Sequence, residues 1–284
     1  KNLSYGVTLA GVIQLVFLIF FTRKYYKPKI QFKLNITSKV KFFLKRLLPS
    51  IFSSGVTQIN IFVGTIIASF QAGAVSYLYY ADRVYQINLA IAGIAVGTVS
   101  LPALTKAIKT KNIFNIKKIQ NKSTELSLLL SIPGSLGLII ASEEITNALF
   151  GYGSFSEKNV LITAEAIKYF GYGVPAFALI KVLSNFFFAR DNTLIPFYLS
   201  FFIVLLNITI SLSFFNIIGF IIIPIATSTT TWLGILLYIY LLKKRNFFNI
   251  EINFLKNFFK ILLSSLFMSL ILHYGLDYFS DSLA

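Results

Sequence analysis

Four residues inside one apolar stretch carry the chemistry that stands out in this chain. They are Tyr79, Asp82, Arg83 and Gln86, within VSYLYYADRVYQINLAIAGIAVGTVSLPAL at residues 75–104. Tyr79, Arg83 and Gln86 are spaced by four and three, and Ala90, Gly93, Gly97 and Ser100 continue the alternation, which on an α-helix places all seven on one face. That face is polar at its start and small at its end. A guanidinium so placed belongs in protein or in a wet cavity, because exposure to lipid near the bilayer centre costs at least about 2.5 to 3.5 kcal/mol. Adjacent helical residues point about 100° apart, so Asp82 need not pair with Arg83. It is either a local charge partner or a second contact in the site.

The element that must position these groups is a helix of about 30 residues, roughly 45 Å long, enough to cross a hydrocarbon core of about 30 Å. The preceding apolar stretch, 48–71, carries Ser50, Ser54, Thr57, Gln58 and Thr65 along roughly one face, with Asn60 beside it. Stripes of this kind serve interhelical hydrogen bonding more often than substrate binding. The hairpin QAGA, residues 71–74, is too short to let the two helices separate, and this makes Thr57 and Gln58 candidate contacts of the same site. Gly93 and Gly97 form a small-xxx-small pair suited to close helix packing. Pro133-Gly134, Pro175 and Pro224 each interrupt a backbone ladder in a predicted span, where neighbours or water must satisfy the freed carbonyl. Glu165 and Lys168 read as an exposed ion pair, Lys181 as a lysine reaching for the headgroups, and the hydroxyls of Thr227–Thr231 as bonded back to their own helix.

Composition sets the class. Apolar residues make up 56% of the 284, and mean hydropathy is +0.75. Eight spans are expected, at about 5–21, 48–71, 75–104, 124–142, 160–183, 195–214, 218–242 and 257–275, which makes the fold an all-α polytopic membrane helical bundle. Having no cysteine and one histidine, His273, the chain offers neither disulfides nor a thiolate or His-rich metal site. GYGSF (151–155) and GYG (171–173) fall in a loop and a helix rather than after a strand, and no phosphate-cradling loop or nucleophile motif is present. This is not an enzyme's inventory, and no cofactor is expected.

The net charge of +16 does not point to nucleic acid. Of the 26 Lys and Arg, 22 fall in four segments: nine in 22–47, six in 104–123, two in 181–194 and five in 243–260. These are the segments that alternating helices put on one side, and they are expected to face the cytoplasm. The nine basic residues of 22–47 should lie along the anionic lipid surface. The opposite segments are short or acidic, with Glu143, Glu144 and Glu157 in one and Asp277 and Asp281 in the tail. Met268 is the only methionine, so Lys1 is not expected to be a native start, and no cleavable leader is evident.

LYYADRVYQINLAIAGIAVGTVSLPAL (78–104) resembles the signature helix of the MurJ/MviN family, the lipid II flippases of the bacterial inner membrane. LPSIFSSGVTQINIFVGTIIASFQAGAVS (48–76), ALFGYGSF (148–155) and YGVPAFALIKVLSNFFFARDNTLIP (172–196) extend the resemblance, and IGFIIIPIATSTTTW (218–232) matches more weakly. The resemblance implies a two-lobed transporter of the MOP exporter superfamily, with fourteen helices of which this chain would hold the sixth to thirteenth. Residues 1–47 would be the last helix of the first lobe plus a basic cytoplasmic linker, 48–242 the second lobe, and 243–284 a basic loop with one of two extra helices. The implied partners are lipid II, membrane lipids and the first-lobe helices of the same protein, without which the chain should not flip lipid. Arg83 matches the second lobe's cavity arginine, and its planar donors suit a pyrophosphate in low dielectric.

Some positions depart from the family pattern: Asn88 stands for a common proline, Tyr152 for an arginine, Asn192 for an aspartate and Ile195 for a threonine. Gly64 and Ser211 occupy places where some members have carboxylates proposed to hold a cation, while Asn207 remains. A sodium site of that kind is therefore not expected, and the membrane potential acting on charged groups is the alternative. Rival readings are a drug or polysaccharide-lipid exporter of the same superfamily, a membrane-embedded polyprenyl-phosphate transferase, and a scaffold. The first is separated by the Asp82-Arg83 motif. A transferase should add a loop acid cluster, for which only Glu143, Glu144 and Glu157 are available, and a scaffold gives no reason for an arginine within the span.

Overall fold

Each of the eight apolar stretches folds as a helix in the computed structural model, which describes residues 2–25 and 37–283. The helices are α1 (Asn2–Tyr25), α2 (Ser38–Ser69), α3 (Ala74–Leu89), α4 (Val96–Lys109), α5 (Ile113–Ile140), the short α6 (Ser142–Phe150), α7 (Glu157–Phe188), α8 (Leu194–Ile218), α9 (Ile222–Lys244) and α10 (Ile252–Leu283). A π-helical segment, Ala90–Ala95, joins α3 to α4, and a single 3-10 turn, Gly219–Ile221, leads into α9. The protein is a multi-pass helical membrane bundle. Five stretches are long and apolar enough to cross a bilayer (74–109, 113–140, 157–188, 252–278, and 194–244 with α8 and α9 taken together), and Thr8–Arg23 and Gln58–Ser69 are shorter apolar helices. Residues 46–284 form one compact unit and residues 1–45 another. Within 22–47, residues 26–36 lie outside the described residues, and so does that part of the expected basic surface segment.

Within the larger unit α7 is the axis. Its apolar window is 72% buried, against 17 to 39% for the other spans, and it packs on α3, α4, α5, α6 and α9. Two cores flank it. One, near the α2–α3 hairpin, is built from Ile67, Ala81, Val84, Ile167, Phe170, Val174 and Phe220–Ile223. The other, near the basic loops, joins Leu104, Leu128, Leu183, Phe186, Phe187, Tyr238 and Leu242.

The proline in α7 shows how a break is tolerated in a low-dielectric setting. Pro175 has no N–H, so the carbonyl of Gly171, four residues back, loses its ladder donor. The hydroxyl of Ser135 on α5 supplies the missing bond at 2.7 Å. Two neighbouring carbonyls are also reached from α9, Tyr169 by Ser228 Oγ at 2.7 Å and Tyr172 by Trp232 Nε1 at 2.9 Å. Pro133 likewise lies inside α5, and the bare backbone of Gly134 beside it makes room for the Asn88 amide. Pro224 differs from expectation. The chain restarts at α9 after the 3-10 turn, so this proline sits in a first helical turn, where a missing N–H costs little.

The single face expected for Tyr79 through Ser100 does not survive, for a definite reason. The π turn winds more residues into each turn than an α-helix does, which shifts the register between its two ends. Ala81 and Val84 are buried on one side of the segment and Gly93, Gly97 and Ser100 on the other, while Tyr79, Arg83 and Ala90 are exposed. The small-residue half does pack closely: Asn185 Nδ2 of α7 donates to the Gly97 carbonyl at 2.8 Å. Two other details are corrected. Helix α5 begins at Ile113, eleven residues before the predicted span, because Asn112 caps it through the Asn115 N–H at 3.0 Å. Glu165 and Lys168 are both exposed and form no ion pair within 4 Å among the described residues, as two solvated side chains have little reason to do. The polar start of α5 anchors the loop after α9: Gln120 Nε2 reaches the Phe247 carbonyl at 2.8 Å and Asn121 Nδ2 that of Asn249 at 3.1 Å, while Arg190 caps Phe247 with its guanidinium.

Candidate functional site

A cavity of about 460 Å³ opens between α2, α3, α7, α8 and α9. The first half of α3 builds one wall with Tyr79, Asp82, Tyr85 and Gln86, and α2 contributes Asn60 and Thr65. Helices α8 and α9 close it with Ser200, Asn207, Thr227 and Thr231, and α7 adds Phe170, Phe177 and Lys181. The outer half of α3 is fixed from outside the cavity. The Tyr77 hydroxyl donates to Asn159 Oδ1 at 2.8 Å, and Tyr80 packs its ring on Phe150 (4.8 Å) and Phe155 (5.4 Å) of the α6–α7 segment.

Of the six residues singled out from sequence, Tyr79, Asp82 and Gln86 line the cavity together. The Asp82 carboxylate accepts from Gln86 Nε2 one turn along its own helix and lies within reach of the Tyr85 hydroxyl, whose ring stacks on Phe170 at 4.6 Å. Arg83 points elsewhere. It is exposed, it is absent from the lining, and its guanidinium sits 4.9 Å from the centre of the Tyr79 ring, a cation–π arrangement. Tyr79, itself 55% exposed, therefore links the cavity wall to Arg83 at its edge. Gln58 is exposed and outside the cavity. The Thr57 backbone belongs to α2, while its side chain lies outside what is described.

Sequence reasoning missed Tyr85, Lys181, Asn207, Thr227 and Thr231. The α8–α9 contribution depends on contacts between helices: Asn207 Nδ2 donates to Thr227 Oγ1 at 3.0 Å, and that hydroxyl in turn donates to the Ile223 carbonyl at 2.7 Å. The back-bonding expected of the threonine run is present and did not keep Thr227 and Thr231 out of the cavity. Lys181 carried a usable signal, a charge inside a predicted span. The place where some family members are proposed to hold a cation is neutral here. Gly64 offers no side chain, Asn207 spends a donor on Thr227, Asn60 Oδ1 is buried without a partner, and so is Ser211 Oγ. With no carboxylate among them, these residues do not fit a cation site of that kind.

The fold defines the class first. The chain superposes on an outward-facing multidrug resistance MATE family transporter of the MOP superfamily with a TM-score of 0.61 at 19% identity, over 78% of this chain and 51% of that one. The chain shares the helical fold of that class of transporter. Within that class, the chain belongs to the lipid II flippase MurJ family, whose model matches residues 1–284. A solved lipid II flippase MurJ in an inward closed conformation aligns with a TM-score of 0.73 and 29% identity, covering 91% of this chain and 53% of that chain. Probable lipid II flippases of Rickettsia prowazekii and Rhizobium meliloti are 37% and 34% identical over 98% and 100% of this chain. The chain spans about half the length of these curated relatives, 55% and 53%.

Proposed function

We propose that the full-length protein containing this chain carries lipid II, the undecaprenyl-pyrophosphate-linked peptidoglycan precursor, across the bacterial inner membrane by alternating access. The observation that carries this reading is the family match along all 284 residues, which includes the Asp82-Arg83 helix. Residues 48–242 act as the second lobe, rocking against a first lobe to which residues 1–47 contribute the last helix and a basic linker. Residues 243–284 supply a basic loop and an extra helix. Arg83 offers a guanidinium to the pyrophosphate, whose oxygens it can meet with two parallel donors. Tyr79 holds that guanidinium in place, and Asp82 and Gln86 present polar groups to the rest of the headgroup. The absence of a carboxylate at Gly64 and Ser211 favours coupling to the membrane potential, which acts on a charged substrate at about 2.3 kcal/mol per unit charge per 100 mV.

The test is equilibrium binding to the purified full-length protein of lipid II against a panel of cationic drugs. Lipid II is expected to bind at least about tenfold more tightly than any of the drugs, corresponding to about 1.4 kcal/mol. Preferential binding of a drug would transfer the protein to the exporter branch of the superfamily.

A further inference from the structure

Charged side chains within membrane-spanning helices are costly and mark sites of function, so each needs a stated role. Asp82 and Arg83 have theirs. Lys181 does not. It lies on α7 seven residues before the helix ends at Phe188, about 10 Å at the helical rise. Reaching the nearer membrane surface would mean extending toward the C-terminal end of α7. In a helix the Cα–Cβ bond leans the other way, toward the N-terminus, which for Lys181 is toward the membrane interior. The structure places Lys181 in the wall of the cavity, with Gln86, Ser200 and Thr231.

Among the described residues Lys181 is the one cation lining this cavity, and it makes no ion pair within 4 Å. The only acid in the lining among the described residues, Asp82, is already engaged by Gln86 on its own helix. At the cavity's edge Tyr79 carries a second cation, Arg83, on its ring. Lys181 thus stands in a wall of neutral amide and hydroxyl groups, an arrangement that suits an anion with several oxygens rather than a cation or an apolar molecule.

We propose that Lys181 is a second cationic contact for a diphosphate group, meeting it in the cavity between α3, α7, α8 and α9 at a station separate from Arg83. This rests on the lipid II reading for the identity of the molecule, and it assigns a contact that reading does not require. An ammonium on a flexible stem can follow the group as it moves, whereas the planar Arg83 fixes one orientation.

The experiment measures lipid II binding to the full-length protein, as wild type, Lys181→Gln, Lys181→Arg and Arg83→Ala, with inorganic pyrophosphate as competitor. Loss of a charge-assisted contact predicts that Lys181→Gln weakens binding by about tenfold or more and makes it less dependent on salt, while Lys181→Arg stays within about threefold of wild type. Lys181→Met, which keeps the aliphatic stem, repeats the measurement should the glutamine variant not fold. Competition by pyrophosphate that Lys181→Gln abolishes supports the site and assigns it to the free anion as well as the lipid. Loss of lipid II binding without such competition supports it for the lipid-linked group. Wild-type affinity in both neutral variants, with Arg83→Ala weakened, overturns the Lys181 contact and leaves the lipid II reading standing. Failure of the wild-type protein to bind lipid II overturns both.

Discussion

Replacing Arg83 by alanine in the full-length protein is expected to abolish export of the cell-wall precursor, measured as lipid II reaching the outer leaflet in cells at normal expression of the variant. Loss of a charge-assisted hydrogen-bonded contact costs about 1.5 to 3 kcal/mol, a factor of about ten or more in binding. The geometry adds a second reason. The Arg83 guanidinium already lies over the Tyr79 ring, 4.9 Å from its centre, so part of the order it needs to meet an anion exists before substrate arrives. Arg83→Lys is expected to retain little, since an ammonium offers neither the fork of donors nor the flat face that stacks on Tyr79. Because Arg83 is exposed, its loss should leave folding intact, and thermal unfolding of the variant should match wild type. Normal export by Arg83→Ala would remove this residue from the site.

The second large effect concerns packing rather than substrate. Gly93 lies in the π segment where it crosses α7, and a Cβ added there would stand 2.9 Å from the Ala178 Cα and 3.0 Å from Leu89 Cδ1. The nearer of these is backbone and cannot turn aside. Gly93→Ala should destabilise the lobe by about 1 to 3 kcal/mol, and Gly93→Val should leave little folded protein, read as thermal unfolding and folded yield in detergent. Gly137 on α5 is the control, because a Cβ there meets nothing within 4 Å. Gly137→Ala should be neutral or stabilising by up to about 1 kcal/mol. Equal losses at the two glycines would mean that the crossing does not depend on the close approach at Gly93.

These two residues also show what sequence could and could not reveal. Gly93 and Gly97 were readable as a packing pair because four-residue spacing puts small residues on one helical face wherever the helix runs. Their relation to Arg83 was not readable, since periodicity assumes an unbroken α-helix, and the π turn at Ala90–Ala95 shifts the register between them. The order of the long apolar helices followed from hydropathy, which responds to bilayer thickness and not to tertiary contacts, whereas the short α6 and the π segment between α3 and α4 did not. The tolerance of Pro175 was foreseeable in kind, yet its partner Ser135 lies 40 residues earlier on another helix, and nothing local announces it. The cavity divides in the same way. Its α3 wall was visible because three polar residues share one apolar stretch, while Asn207, Thr227 and Thr231 become part of it only when α8 and α9 pack together. Lys181 stands out in the sequence as a charge within a span, but its direction depends on a cavity that only the assembled bundle creates.

The central claim, that the whole protein is a lipid II carrier, is tested most directly by reconstituting the full-length protein in vesicles and following labelled lipid II from one leaflet to the other. The account predicts protein-dependent translocation that responds to membrane potential and is lost with Arg83→Ala, while a cationic drug is not moved. Contradiction would be lipid II remaining in its original leaflet in vesicles whose protein transports the drug.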